Sequence, residues 1–275
     1  MDEIIVNFTP TGMLPTRRET PLVPLSPDEI IGDVRKACEL GITMVHLHAR
    51  DPQNGQPTWQ KSVYAEIIGG IRSFAPELIV CVSTSGRSWQ ELDKRVEVLS
   101  LAGDLKPDMA SLTLSSLNFN HQASVNAPDQ INDLAVEMQN RGIKPELEIF
   151  DLGMVNYCHY LLRKKRIAPP CYANIIVGNI ACAQSDLLHI GTIIRDLPPD
   201  TLFSLGGIGD FQLQTHGLAI AMGYGVRVGL EDNIWYDLQR TRLAANSDLL
   251  ERLQAIAGAN GKRFMAPAEL RRRLG

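Results

Sequence analysis

Residues 44–52 read Met44-Val45-His46-Leu47-His48-Ala49-Arg50-Asp51-Pro52. In an extended chain neighbouring side chains point to opposite faces, so His46 and His48 share one face and Val45 and Leu47 share the other. Met44–Leu47 therefore reads as a strand with an aliphatic face for covering helices, and Ala49-Arg50-Asp51-Pro52 as the polar loop that leaves it. The same separation recurs in Ser111-Leu112-Thr113-Leu114, Glu146-Leu147-Glu148-Ile149 and Val226-Arg227-Val228-Gly229. Polar groups gathered on an inner face are costly unless paired or bound to a metal. Such stretches together point to a functional centre enclosed by a sheet.

Outward from this strand, short β-rich runs alternate with longer amphipathic stretches. The expected strands are Ile4–Asn7, Met44–Leu47, Ile79–Ser83, Met109–Thr113, Glu146–Phe150, Asn174–Val177, Thr201–Leu205 and Gly225–Gly229. Helical patterns follow near 27–40, 60–74, 89–100, 128–141, 153–165, 185–195, 210–223 and 235–257. Ser26-Pro27-Asp28-Glu29 combines a capping serine, a first-turn proline and a capping-box glutamate. Gly41, Gly142 and Gly223 stand where helices should stop. The spacing suits crossover helices rather than hairpins. Eight such units with no intervening linker predict an α/β fold, a (β/α)₈ TIM barrel spanning 1–275 as one domain, with its chemistry at the carboxyl ends of the strands. A doubly wound sheet is the runner-up, but no GxGxxG follows the first strand. Gly206-Gly207-Ile208-Gly209 reads first as a tight turn and second as an anion-binding loop.

Composition narrows the function classes. With 44% hydrophobic and 21% charged residues the 275-residue chain is a folded one, not a disordered or fibrous one. A net charge of -4 argues against a nucleic-acid partner, since phosphate neutralisation needs a concentrated basic surface. The five cysteines form no CxxC and read as buried free thiols. No signal peptide and no membrane-spanning run is evident, which predicts a cytoplasmic protein.

His46 and His48 can present two imidazoles to one divalent ion, and Glu231, beyond the eighth strand, can come across a closed barrel as the third ligand. Two imidazoles and a carboxylate suit zinc and leave a position open, although other divalent metals fit the same donors. Asp232 is the candidate for proton transfer, Asn233 an organiser of its loop. Arg227 and Glu148 share the inward parity; Arg227 suits orientation of Asp232 or capture of a carboxylate, and Glu148 suits fixing the arginine. Glu146, deeper in its strand, reads as a poorer choice than Glu148. Ser83, Thr84 and Ser85 can donate to an anionic ligand, and no nearby histidine makes any of them a nucleophile. His121, His159, His189 and His216 read as surface or satisfied-core residues, Trp59 and Trp89 as packing residues.

At these residues the chain resembles the β-keto acid cleavage enzymes. The resemblance runs over nearly the whole sequence, through Thr11-Gly12, His46-Leu47-His48-Ala49-Arg50-Asp51, Ser83-Thr84, Leu117-Asn118-Phe119, Pro145-Glu146-Leu147-Glu148, Arg227-Val228-Gly229-Leu230-Glu231-Asp232-Asn233 and Ala266-Pro267-Ala268-Glu269-Leu270-Arg271. It implies a zinc-containing barrel in a homo-oligomer, commonly a tetramer. It also implies a reaction of a small 3-keto acid with acetyl-CoA that gives acetoacetate and a new acyl-CoA, by enolate addition, CoA transfer and retro-Claisen cleavage. By position, His46, His48 and Glu231 would hold the metal, Asp232 would be the base, Arg227 and Glu148 would orient it, and Ser83 would hold the substrate carboxylate. Leu14 stands where the aminohexanoate-cleaving relative carries a carboxylate for the substrate amine, so a neutral or apolar keto acid is expected instead. Ser111 and Thr113 replace Thr and Asn of that relative at the substrate, and Asn179-Ile180-Ala181-Cys182-Ala183 replaces a longer Gly-rich loop near the CoA pocket. The competing readings are a metal-dependent aldolase-type lyase or hydrolase that uses no CoA, and a non-catalytic protein that binds keto acid or CoA.

Overall fold

A computed structural model describes residues 2–275. Eight strands form a closed parallel barrel: β1 (Val6–Phe8), β2 (Met44–Leu47), β3 (Ile79–Val82), β4 (Met109–Thr113), β5 (Lys144–Ile149), β6 (Tyr172–Val177), β7 (Leu202–Gly207) and β8 (Gly225–Val228). Each pairs with the next in sequence, and β8 closes onto β1 through Val226 opposite Val6 and Arg227 opposite Asn7. The sheet therefore closes; the doubly wound alternative is excluded.

The helices are α1 (Pro27–Glu39), α2 (Lys61–Arg72), α3 (Leu92–Val96), α4 (Pro128–Asn140), α5 (Leu152–Arg163), α6 (Leu187–Asp196), α7 (Phe211–Met222), α8 (Asn246–Ala259) and α9 (Pro267–Leu274). At α1 the capping box forms as expected: Ser26 Oγ accepts from the Glu29 amide at 3.3 Å, and Glu29 Oε2 accepts from the Ser26 amide at 3.0 Å. A cap of this kind contributes about 1 kcal/mol to helix stability. All five cysteines are free thiols. Among the described residues no helix is long and apolar enough to cross a membrane.

Three elements depart from expectation. The first run splits: Glu3–Ile4 pairs with Arg263–Phe264 outside the barrel, which leaves Val6–Phe8 as the barrel strand. The third helical pattern is a five-residue helix continued by a 3₁₀ turn over Glu97–Ser100. The eighth, expected over 235–257, begins only at Asn246. Side chains hold the preceding backbone in turns instead: Asn233 Oδ1 accepts from the Trp235 amide at 3.0 Å, and the Asp237 carboxylate accepts from the amides of Thr241 and Arg242 at 3.0 and 2.8 Å. Sequence reading also passed over α9, which seals the barrel floor.

Strand parity builds the interior in layers. Ile5, Met44, Ile79, Met109 and Tyr172 form an apolar floor with Met265, Leu270 and Leu274 from the C-terminal segment. One step higher on the same faces stand Asn7, His46, Cys81, Ser111, Glu146, Asn174, Ser204 and Arg227, all buried. The outward residues, such as Val45, Leu47, Val80 and Leu147, belong to the larger core beneath the helices. A dry floor thus forces the interior polar groups to satisfy one another or a ligand.

Candidate functional site

The polar layer converges on β2. His46 Nδ1 lies 2.5 Å from Glu146 Oε2, and His46 Nε2 lies 3.2 Å from His48 Nε2. His48, one residue beyond β2, places the same Nε2 3.2 Å from Glu231 Oε1. One ligand atom each from His46, His48 and Glu231 lies within 4.8 Å of the others. Glu231 Oε2 is buried and has no hydrogen-bond partner among the described residues. Donation of the Nδ1 proton to Glu146 leaves the His46 lone pair at Nε2, facing the cluster. These donors fit a divalent cation.

A second cluster, His46 with Cys81 and Glu146, meets the same distance test. Its chemistry is unsuitable. Burial beside Glu146 pushes the Cys81 thiol well up, and Glu146 Oε2 is already engaged by His46 Nδ1 and lies 3.3 Å from the thiol.

The electrostatics agree with a deficit of positive charge. Burial opposes the His46 proton, yet Glu146 and Glu231 outweigh it and raise the imidazole to about 9. Glu146 is correspondingly held at about 2, burial being overcome by His46. For His48 burial dominates and takes the ring to about 4, a neutral ligand form. Asp232 is pushed up to about 6, by burial first, with Arg227 pulling it down and the Glu231 charge adding to the rise.

Arg227 organises the carboxylates that follow its own strand. Its Nη2 donates to Glu231 Oε1 at 2.7 Å and its Nε to Asp232 Oδ2 at 3.0 Å, while Nη1 is buried without a partner. Glu148 does not fix it; that carboxylate accepts from Thr113 Oγ1 at 2.5 Å. His216 braces the strand from outside, its Nε2 2.8 Å from the Arg227 carbonyl. Gly12 seats the first loop against the same turn. A Cβ there would stand 2.6 Å from Glu231 Cγ, and its φ of +66° favours glycine independently. Arg50 fastens that loop by donating to the carbonyls of Gly12, Gly55 and Pro15 at 2.9, 3.1 and 3.0 Å.

An open cleft lies over this cluster. Of the site candidates read from the sequence, Leu14, His48, Ser83, Ser85, Thr113, Glu148, Arg227, Glu231 and Asp232 line it. His46 stands behind His48. Thr84 and Ser111 bond to each other, the Thr84 amide donating to Ser111 Oγ at 3.1 Å and Thr84 Oγ1 to the Ser111 carbonyl at 2.5 Å. Thr84 lines an adjoining cavity with Trp59 and Trp89. Gly206 and Gly207 end β7, and Gly209 donates its amide to the Asp232 carbonyl at 2.8 Å, so this loop supports the base candidate.

Residues 3–275 match the family model for beta-keto acid cleavage enzymes. The chain belongs to the β-keto acid cleavage enzyme family. It is 34% identical over 275 residues to the 3-oxoadipate:acetyl-CoA acetyltransferase of Cupriavidus necator, covering 98% of this chain and 94% of that one. It is 30% identical over 273 residues to the 3-keto-5-aminohexanoate cleavage enzyme of Fusobacterium nucleatum, covering 98% and 97%. The structure of ObcA with oxaloacetate superposes with a TM-score of 0.83 at 20% identity, over 93% of this chain and 68% of that chain, which shows a shared barrel.

Glu146 is the residue that sequence reading undervalued. Its depth was counted against it, yet depth is what brings its carboxylate under His46. In this family member Glu146→Gln is expected to weaken metal affinity by about 10–100-fold, because the partner that fixes the His46 tautomer becomes neutral. Titration against a chromogenic chelator measures this; unchanged affinity would show that Glu146 serves packing alone.

Proposed function

We propose that the chain cleaves a 3-keto acid at the expense of acetyl-CoA, releasing acetoacetate and an acyl-CoA formed from the rest of the keto acid. The observation that carries this reading is the convergence of His46, His48 and Glu231 beside an Arg227-held Asp232 in one cleft. Both curated relatives described above act on 3-keto acids, and the name of one specifies acetyl-CoA. We take the site to lie at the carboxyl ends of the barrel strands, the usual place for barrel chemistry, in a single domain, with a homo-oligomer implied by the family resemblance alone.

A divalent cation held by His46, His48 and Glu231, zinc being well suited to that donor set, supplies positive potential where enolate and alkoxide charge develops. Asp232 accepts the proton from the carbon between ketone and carboxylate. Arg227 keeps the carboxylate aimed through its Nε bond and leaves Nη1 for an oxygen of the ligand. Ser83 donates to the substrate carboxylate, with the Thr84–Ser111 bonds holding the ends of β3 and β4 in register beside it. Thr113 fixes Glu148, whose charge adds to the field that holds Arg227 protonated. The carbanion attacks the acetyl thioester and expels the CoA thiolate, which adds to the ketone carbon; the bond between that carbon and its former carbanion neighbour then breaks to give the acyl-CoA, and the acetoacetate carbanion takes back the proton from Asp232. The open cleft takes the keto acid and the thioester end of the co-substrate, and the nucleotide part lies outside it.

The test is a panel of 3-keto acids with acetyl-CoA, following acetoacetate and the new acyl-CoA together. Equal amounts of both, formed only when acetyl-CoA is present, are expected. Keto-acid consumption at the same rate without acetyl-CoA would replace this reading with a lyase or hydrolase.

A further inference from the structure

Arg87 and Arg227 line the cleft, Arg95 an adjoining cavity, and Arg50 holds the Gly12 loop; all but Arg87 are committed. Arg50 bonds three loop carbonyls, Arg95 bonds the Thr84 carbonyl and Asn126 Oδ1, and Arg227 bonds Glu231 and Asp232. Arg87 differs. It lines the cleft, its Nε is buried without a partner, and among the described residues its guanidinium makes no hydrogen bond or ion pair with protein.

The side chain is nevertheless well placed. Its Cζ lies 3.7 Å from the centroid of the Phe119 ring, and Phe119 packs edge-on against Phe150 with centroids 5.9 Å apart. At the preceding residue, Gly86, a Cβ would stand 2.3 Å from the Val125 carbonyl, so the loop presses on the Leu117–Ser124 hairpin. Stacking occupies the flat face of the guanidinium. The N–H donors lie in its plane, at the edge, and still require acceptors. No hydrogen bond or ion pair joins Arg87 to the cleft carboxylates: Glu148 takes Thr113, Glu231 takes His48 and Arg227, Asp232 takes Arg227, and their attraction reaches Arg87 only without contact.

A guanidinium stacked on an aromatic ring, with its edge free in a cleft, matches a ligand carboxylate. The rest of the wall is mainly apolar, with Leu14, Leu117, Ile176 and Ile208, and adds the hydroxyls of Ser85 and Ser124. Together they describe a short hydrocarbon segment that ends in a negative charge. We propose that Arg87 is a specificity residue for the far end of the keto acid, and that the substrates are 3-keto dicarboxylic acids whose second carboxylate takes the free guanidinium edge. This rests on the keto-acid reading above. It also alters the expectation drawn from Leu14 alone: that residue leaves no acid to hold an amine, and Arg87 turns the preference from neutral tails to acidic ones.

Anionic chemistry at this position has three sources: the distal carboxylate, the carboxylate next to the reacting carbon, and the CoA phosphates. The experiment separates them. Metal-loaded wild type, Arg87→Met and Arg87→Lys are compared with 3-oxoadipate and with 3-oxohexanoate, which carries a methyl group where the former has its second carboxylate. Equilibrium binding is measured without acetyl-CoA, and kcat/KM with it.

The wild type is expected to bind the diacid at least about tenfold more tightly than the monoacid, and Arg87→Met to shrink that ratio by about 10–100-fold, the range for losing charge-assisted hydrogen bonds. Arg87→Lys should restore part of the ratio. Equal weakening of both acids would assign Arg87 to the reacting carboxylate or to loop structure. An effect confined to the KM of acetyl-CoA would assign it to CoA. Either result, or a wild type without diacid preference, overturns the proposal. A binding preference that depends on Arg87 in a protein with no acetyl-CoA-dependent turnover would uphold it while removing the reaction on which it was built.

Discussion

Glu231→Gln is expected to yield a folded barrel that no longer retains a divalent metal ion. The substitution preserves shape, and an amide oxygen can still accept from Arg227 Nη2 where Oε1 now does, at 2.7 Å. Arg227 also keeps Asp232 as a charged partner, so no buried cation is stranded. What disappears is the anionic donor and the unpartnered Oε2. Loss of a ligating carboxylate should exceed the about 10–100-fold expected for Glu146→Gln, which removes only support for a ligand. Metal content after gel filtration, read beside the far-UV spectrum and the melting curve, checks both halves. Wild-type metal content in a folded variant would take Glu231 out of the site. Loss of metal together with loss of fold would instead make the Arg227–Glu231 pair a structural element, and Glu231→Asp, which keeps the charge, would then have to restore the barrel.

That cluster was legible in sequence because strand parity is local. Two residues apart on one strand, His46 and His48 must share a face whatever the rest of the chain does. Closure of the barrel supplies the rest: β8 lies beside β1, so the turn after Val228 comes within reach of the residues after Leu47. Depth along the barrel axis was not legible in the same way. Parity gives Glu146 and Glu148 the same face, and only the register, with Ser111 opposite Glu146 and Thr113 opposite Glu148, decides which reaches His46 and which reaches the cleft.

Arg87 was missed for a related reason. It lies in a loop, where no periodicity assigns a face, and its placement depends on Phe119, which is distant in sequence. Residues 235–245 misled in the opposite sense. A helix is expected to include them, but Asn233 and Asp237 accept from nearby backbone amides, and a bridge between Trp235 and Leu243 closes the segment into a loop instead. Periodicity describes what a segment can bury; side-chain capping decides whether it coils to do so.

Asp232→Asn should produce a protein that keeps its metal and loses its turnover. Asn remains able to accept from Arg227 Nε, now 3.0 Å from Asp232 Oδ2, and the backbone bond from Gly209 to the Asp232 carbonyl is untouched. The local turn therefore survives while the proton acceptor does not. Removal of a positioned base lowers kcat by about 10²–10⁴-fold, and burial pushes Asp232 up to about 6, toward the range that suits a base near neutral pH. Two measurements isolate the role. Turnover with acetyl-CoA should fall by that factor at unchanged metal content. Deuterium exchange into the carbon between ketone and carboxylate, followed without acetyl-CoA, should fall toward the rate in buffer, since that exchange needs the base beside the bound cation but no thioester. If exchange persists above the buffer rate while turnover is lost, Asp232 acts in a later step and the proton is taken by another group, with Glu148 the remaining carboxylate that lines the cleft and is not bound to Arg227.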